Sequence, residues 1–317
     1  MHYYRLIITL LGPLGTELVS GTIWGHLAWA IRYIEGQQAL ERWLEEQERE
    51  PWLISSQMPE GMLPKPILPA IPVYQDISNI DDMILFKRLK KTGFLSEDTF
   101  ISLRKSMNEF ALMEKLKAEV MKDKSSDITK QNGFLTTYMA HNRIDRLSGR
   151  TPDTGGLFFE ESKISAPKSR LQIFIATQTD EMQRLQTLFD FIGSSGFGAN
   201  ASTGYGSMQF EIKEENTLFA VEGSFAMSLS HGVSTANMVE MRYKQHVHFG
   251  KLGAHYAAGS FSPFKFPILM TKPGATFKPL DQGPYGRILR NVHHDNALSH
   301  IRHYAVHFPI FFTEVST

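Results

Sequence analysis

Cysteine is absent from the 317 residues, so disulfides, thiolate metal sites and thiol nucleophiles are excluded. That suits a reducing compartment. An excess of charge is also missing, because 33 Lys and Arg balance 33 Asp and Glu. The balance argues against a uniformly basic nucleic-acid coat but leaves room for a basic groove. No long apolar run occurs. Leu6 to Leu14 holds a Gly-Pro pair and is too short for a membrane span or a signal peptide. The expectation is a cytoplasmic chain with no membrane partner. Neither GxxxxGK[ST] nor GxSxG occurs, which removes the signatures of P-loop nucleotide hydrolases and α/β-hydrolases.

What the chain does have is a glycine-rich stretch, Gly193 to Ser207, with five glycines in fifteen residues and no formal charge. Glycine allows positive φ and close approach to the backbone, and successive N–H groups in such a loop can cradle an anion. A mobile surface loop is the plainer alternative, so the flanking segments must decide. Thr179 is placed to cap a helix whose stripe is Leu185, Leu188, Phe189 and Ile192. Strands are predicted over 170–177 and 208–213 from alternation. The chain opens the same way, with a strand over 3–11, a Gly/Pro break and a helix capped by Ser20. The N-terminus of that helix, Ser20 to Thr22, is a second candidate phosphate site. Two strand–helix–strand halves fit a βαββαβ ferredoxin-like fold.

A large insertion, about 37–169, separates the halves. It holds a charged helix over 37–50, whose glutamates read as a solvated face. A connector, Gln57 to Pro69, follows; its prolines exclude helix and central strand. Lys65 on it is a minor candidate for RNA contact. Helices are predicted over 80–91 and 96–123, the latter capped by Ser96. A Pro/Gly turn at 151–156 between extended arms makes a hairpin over 141–159. Its Arg143, Arg146 and Arg150 can grip phosphates, unless Asp145 and Asp153 simply pair with them. Glu214 to Asn216 is read as a boundary between a first domain, 1–214, and a smaller one, 215–317, of ferredoxin-like or β-rich type. Nine of the twelve histidines lie after residue 230. His293, His294, His300 and His303 lack zinc-type spacing, so no metal and no cofactor is expected.

Four pieces in order resemble one family: Ser20 to Ala30, Gly61 to Pro69, His141 to Gly149 and Gly193 to Gly206. The chain is similar to the RAMP proteins of type III-A CRISPR effectors, and within them to the Csm-complex subunit at the crRNA 5′ end. The fold class this implies is α+β, with two ferredoxin-like (RRM-type) domains. The function implied is non-catalytic: holding the crRNA 5′ handle and docking the large multidomain subunit and a backbone RAMP subunit, with target RNA met only indirectly. Candidate RNA contacts are Ser20, Gly21, Thr22, His26, His141, Asn142, Arg143, Arg146, Arg150, Gly196, Gly198, Ser202, Thr203 and Gly204. Phe197 and Tyr205 are added as base-stacking platforms. The alternative is a metal-independent crRNA-processing endoribonuclease in which His26 deprotonates a 2′-OH. A packed, structural His26 is the plainer reading.

Overall fold

The computed structural model describes residues 1–70, 80–122, 134–165, 169–253, 256 and 262–315. The chain runs β1 (His2–Leu10), α1 (Ser20–Ile34), α2 (Gln37–Arg49), β2 (Leu53–Ile54), β3 (Met58–Pro59), β4 (Met62–Pro64), α3 (Ile80–Lys91), β5 (Phe94–Ser96), α4 (Glu97–Leu103) and α5 (Glu109–Lys122). Next come β6 (Phe134–Asn142), β7 (Leu157–Ser165), β8 (Leu171–Thr177), α6 (Met182–Ser195) and β9 (Met208–Glu214). The second half is β10 (Phe225–Ser228), β11 (Met238–Arg242), β12 (Gln245–His248), β13 (Ile268–Thr271), β14 (Thr276–Pro279), β15 (Gly286–Leu289), β16 (His303–Val306) and β17 (Pro309–Phe312).

The first sheet has the order β2-β8-β1-β9, with β3 also paired to β8 and every neighbour antiparallel. Alternation along β1 sends Tyr4, Leu6 and Ile8 to one face. There they meet Ile173, Ile175 and Phe210 beneath α1 and α6. The other face is not solvent. Every residue of β8 is buried, and Phe174 and Ala176 enter a second core. That core takes Phe100, Leu112 and Met113 from the insertion and Phe225, Met227, Phe308 and Phe312 from the second half. The insertion and the second half therefore close over the back of the first sheet.

A charged side chain sits on that covered face. Arg5 of β1 bonds Glu97 of α4 at 2.7 Å and Glu215 at 2.6 Å. It also donates to Gln172 of β8 at 3.0 Å, and its guanidinium lies 5.0 Å from the Phe174 ring centre. Burial disfavours the charged guanidinium, but the bonds to Glu97 and Glu215 outweigh it and raise the Arg5 pKa. Burial pushes the Glu215 carboxyl up, yet Arg5 and the backbone N–H groups of Thr217 and Leu218 hold it below the usual range.

Two expectations change. The helix read over 96–123 is two helices, α4 and α5, broken at Arg104 to Asn108. Arg104 donates to the carbonyls of Leu218, Val221 and Phe311. Met107 pairs through its backbone with Thr313 and Val315, and Asn108 caps the restart at Ala111 N. The Ser96 cap does form, accepting from Thr99 N at 3.1 Å. The second half is built from strands: a sheet β11-β14-β10-β17 and the ribbons β12-β13 and β15-β16. Among the described residues no α-helix follows Ser195, so the second half takes the β-rich form. Its strands are short, four or five residues each, and β10 and β16 are buried along their whole length.

Arg5→Ala leaves two carboxylates facing a covered interface without their cation. It should cost about 3–5 kcal/mol, read as a lower denaturant midpoint in equilibrium unfolding.

Candidate nucleic-acid interface

The glycine-rich loop joins α6 to β9, as expected, but its amides point inward. Gly198 N–H donates to His26 Nε2 at 3.2 Å and Ala199 N–H to Thr16 Oγ1 at 3.0 Å. Phe197 N–H is given to Gly206 O, Gly206 N–H to Pro13 O, and Gly204 N–H to Ala201 O. A cradle built from the amides of Gly198 and Gly204 is therefore not available, because each already has a partner. Gly198 is required for another reason: its φ is +77°, and a Cβ there would lie 2.4 Å from the Thr16 Cβ. The stacking expectation for Phe197 and Tyr205 also fails. They are 1% and 4% exposed; Phe197 packs on the His26 ring at 4.2 Å and the Tyr205 hydroxyl reaches Met139 Sδ at 3.0 Å. Ser202, Thr203 and Gly204 remain exposed at the loop tip, and Thr203 Oγ1 donates to Asn200 O.

His26 is a loop anchor. Its Nε2 accepts the Gly198 N–H, so the neutral ring carries its proton on Nδ1. Burial pushes its pKa down to about 4.

The entrance of α1 is likewise closed. Val19, not Ser20, is the N-cap. Ser20 is fully buried; its hydroxyl donates to His231 O and accepts from His231 N–H. At Gly21 a Cβ would lie 2.9 Å from Tyr304 O and 3.1 Å from His303 Cε1. Residues of the second half thus occupy the place assigned to phosphate, and of the three only Thr22 keeps partial exposure.

The hairpin keeps its promise of reach. β6 and β7 pair over nine residues, Phe134 with Ser165 through Asn142 with Leu157. His141 stacks on Phe158 and lies 3.3 Å from Glu160, and Asn142 bonds Thr151. These two hold the hairpin together. Asp145 accepts from the backbone N–H groups of Ser148 and Leu147 and from the Ser148 hydroxyl. Those bonds hold its carboxyl below the usual range. Arg143, Arg146 and Arg150 are exposed, and none forms an ion pair with a described residue. Apolar side chains are exposed beside them: Leu147 at 100%, with Tyr138 and Phe159.

One concavity escaped the sequence reading. A cavity of about 610 Å³ lies between the connector, the α1 entrance, the hairpin base and the β12-β13 ribbon. Lys65, Lys90, Lys163, Lys244 and Lys272 line it, with Glu17 and Glu109. Only Lys65 had been singled out. The other lysines come from distant segments, and no local signal joins them. His231 and His246 also face it and begin a column of rings: His231 to His246 at 4.7 Å, His246 to His248 at 6.0 Å, His248 to His303 at 4.8 Å. Burial, then neighbouring His and Lys charges, push His231 down to about 3. Burial, then His246 and Lys265, push His248 down to about 4. Burial first, then Lys265 and His248, takes His303 well below its ordinary value. Among the described residues no group of three or more His, Asp or Glu is placed to hold a metal, and no helix is long and apolar enough to cross a membrane.

No protein-family model matches the chain, and no curated protein matches it. Solved structures do. A chain from the crystal structure of a Csm1–Csm4 cassette in complex with pppApA aligns over 100% of both chains, with TM-score 0.62 and 16% identity. The same cassette in complex with cA4 gives 0.60 and 17% over 99% of this chain and 100% of that one. A chain of the Csm3–Csm4 subcomplex of the type III-A CRISPR-Cas interference complex gives 0.58 and 13% over 98% and 99%. Csm4 is the component common to these structures. The chain has the Csm4 fold. The likeness covers the chain from end to end, insertion and β-rich second half included.

Two outcomes follow for the site. His26→Ala removes the acceptor of Gly198 N–H and the ring under Phe197. It should lower stability by about 1–3 kcal/mol, with faster amide exchange at residues 197–206. The histidine column predicts acid sensitivity. The folded pKa values of His231, His248 and His303 lie below the ordinary 6.5, so the unfolded chain binds protons first. Stability should be full above pH 6.5 and fall as pH drops from 6.5 towards about 3, the His231 and His248 rings together costing on the order of a few kcal/mol. A thermal-unfolding series across that range reads it, and a flat profile there would contradict the column.

Proposed function

We propose that the chain is a non-catalytic RNA-binding structural subunit of a type III CRISPR effector complex. In this reading it holds the crRNA 5′ handle and docks a large multidomain subunit and a backbone RAMP subunit, with target RNA met only through the assembly. The observation that carries it is the end-to-end fold match to chains of a Csm1–Csm4 cassette and a Csm3–Csm4 subcomplex. The strand order β2-β8-β1-β9 under α1 and α6 supports taking residues 1–214 as a ferredoxin-like RAMP domain, with 215–317 as the smaller partner domain.

The contact set is revised by the geometry. Arg143, Arg146 and Arg150 become the principal phosphate contacts, because they are exposed and unpaired among the described residues. Ser202, Thr203 and Thr22 remain as accessible polar contacts. The apolar side chains beside the arginines suit a hairpin that meets a subunit as well as RNA. The alternative, an endoribonuclease with His26 as base, is disfavoured in this reading because the buried ring already accepts the Gly198 N–H at Nε2.

Phosphate contacts release counterions, by about 0.7 per phosphate on a single strand. Changing Arg143, Arg146 and Arg150 together to Ala should weaken binding of a single-stranded repeat RNA and flatten its salt dependence by roughly two units of slope. An unchanged slope sinks the hairpin assignment. Cleavage of that RNA in EDTA, abolished by His26→Ala, sinks the non-catalytic one.

A further inference from the structure

We propose that the cavity between the connector and the β12-β13 ribbon is a nucleoside-phosphate site, with Lys244 and Lys272 gripping the phosphate at its mouth. Lys244 stands just before β12 and Lys272 just after β13, and the Lys272 N–H donates to Lys244 O at 3.0 Å. The backbone thus holds two exposed lysines opposite each other at one ribbon end. Like charges across a strand pair are destabilising. Neither lysine forms an ion pair with a described carboxylate, although both carboxylates of the lining lie nearby. Glu17 is taken by Lys163. Glu109 is half-buried; burial raises its carboxyl pKa, and Lys65 and Lys90, not Lys244 or Lys272, are the cations that act on it. The repulsion extends inward: burial first, and Lys272 with it, lowers the pKa of His246 and of His231. Cations held together without a counter-charge at the mouth of a cavity are the arrangement an anion relieves.

The rest of the lining defines what else the anion carries. Phe94 and Phe134 contribute rings, Pro64 and Pro66 contribute flat apolar walls, and Leu18 and Ile67 add aliphatic surface. A volume of about 610 Å³ lies within the range of small-molecule sites. Rings beside lysines match a base and its phosphate better than an inorganic anion, which would leave the apolar walls wet. Phe134 and Lys163 belong to the hairpin base, so the cavity adjoins the arm that carries the three arginines. The nucleotide is either one unit of a bound RNA strand or a free mononucleotide; only the first source rests on the RNA reading above.

The test uses the full chain with 5′-AMP, adenosine, inorganic phosphate and an eight-nucleotide single-stranded RNA as probes. The forms compared are the unaltered protein, Lys244→Ala with Lys272→Ala, and the triple arginine variant. Both lysines are exposed and repel each other, so their removal should leave the unfolding temperature unchanged or raise it slightly. The expected result is that 5′-AMP binds more tightly than adenosine or phosphate and weakens at least tenfold in the lysine variant. If RNA weakens in parallel, the nucleotide comes from a strand. If only AMP weakens, the source is free nucleotide and the site stands. If no form binds RNA while AMP binding depends on the lysines, the RNA reading fails and the site again stands. RNA binding that falls with the arginines but not with the lysines, together with no lysine-dependent AMP binding, overturns the site and spares the RNA reading. An acidic peptide that binds where neither nucleotide probe does also overturns it.

Discussion

The architecture depends on what lies behind the first sheet. An antiparallel sheet with two helices on one face ordinarily leaves its other face wet. Here that face carries Arg5, and Arg5 has carboxylates waiting from two different parts of the chain, Glu97 of the insertion and Glu215 at the start of the second half. Gln172 extends the network by donating to Met62 O and Glu97, so the connector is tied in as well. A buried ion group of this kind adds little net stability over a well-packed apolar one, but it tolerates few alternatives, because any arrangement that separates the partners strands a charge. Apolar burial across the second core supplies the driving force, and Arg5 fixes which segments share it.

The same closure decides which groups remain for a ligand. Once the second half covers the entrance of α1, Ser20 and Gly21 are interior residues bonded or packed to His231, His303 and Tyr304. The glycine-rich loop is then wedged between α1 and the segment Pro13 to Thr16, and its amides are consumed there. Glycine serves close packing in this loop rather than ligand access. The hairpin arginines and several lysines around the cavity are among the exposed cationic groups that remain.

How much of this was legible follows from sequence distance. The strands β1, β8 and β9 and the helices α1 and α6 could be read because alternation and 3.6-residue periodicity are local properties, and the hairpin because its Pro/Gly turn is local too. The break at Arg104 to Asn108 could not, since its cause is carbonyls at 218, 221 and 311. The burial of Ser20 is set by His231, 211 residues away. Phe197 and Tyr205 looked like stacking platforms because an aromatic ring in a glycine-rich loop has the same sequence signature whether it faces solvent or His26. The cavity gave no signal at all, its lysines arriving from five separate segments.

Zero net charge conceals an uneven distribution, and the unevenness is informative. Some surface cations are matched: Arg184 with Glu35, Arg170 with Glu60, Arg242 with Glu314, and Arg290 and Arg302 with Glu48. Arg143, Arg146 and Arg150 form no such pair with a described residue, although Asp145 is two residues from the first of them. Asp145 instead turns to the backbone of Leu147 and Ser148. Lys244 and Lys272 likewise stand together with no carboxylate between them. Exposed ion pairs are worth little in isolation, so leaving these cations unmatched costs the fold almost nothing. It leaves their full charge available, whereas an anion meeting a matched arginine would first have to break an existing pair.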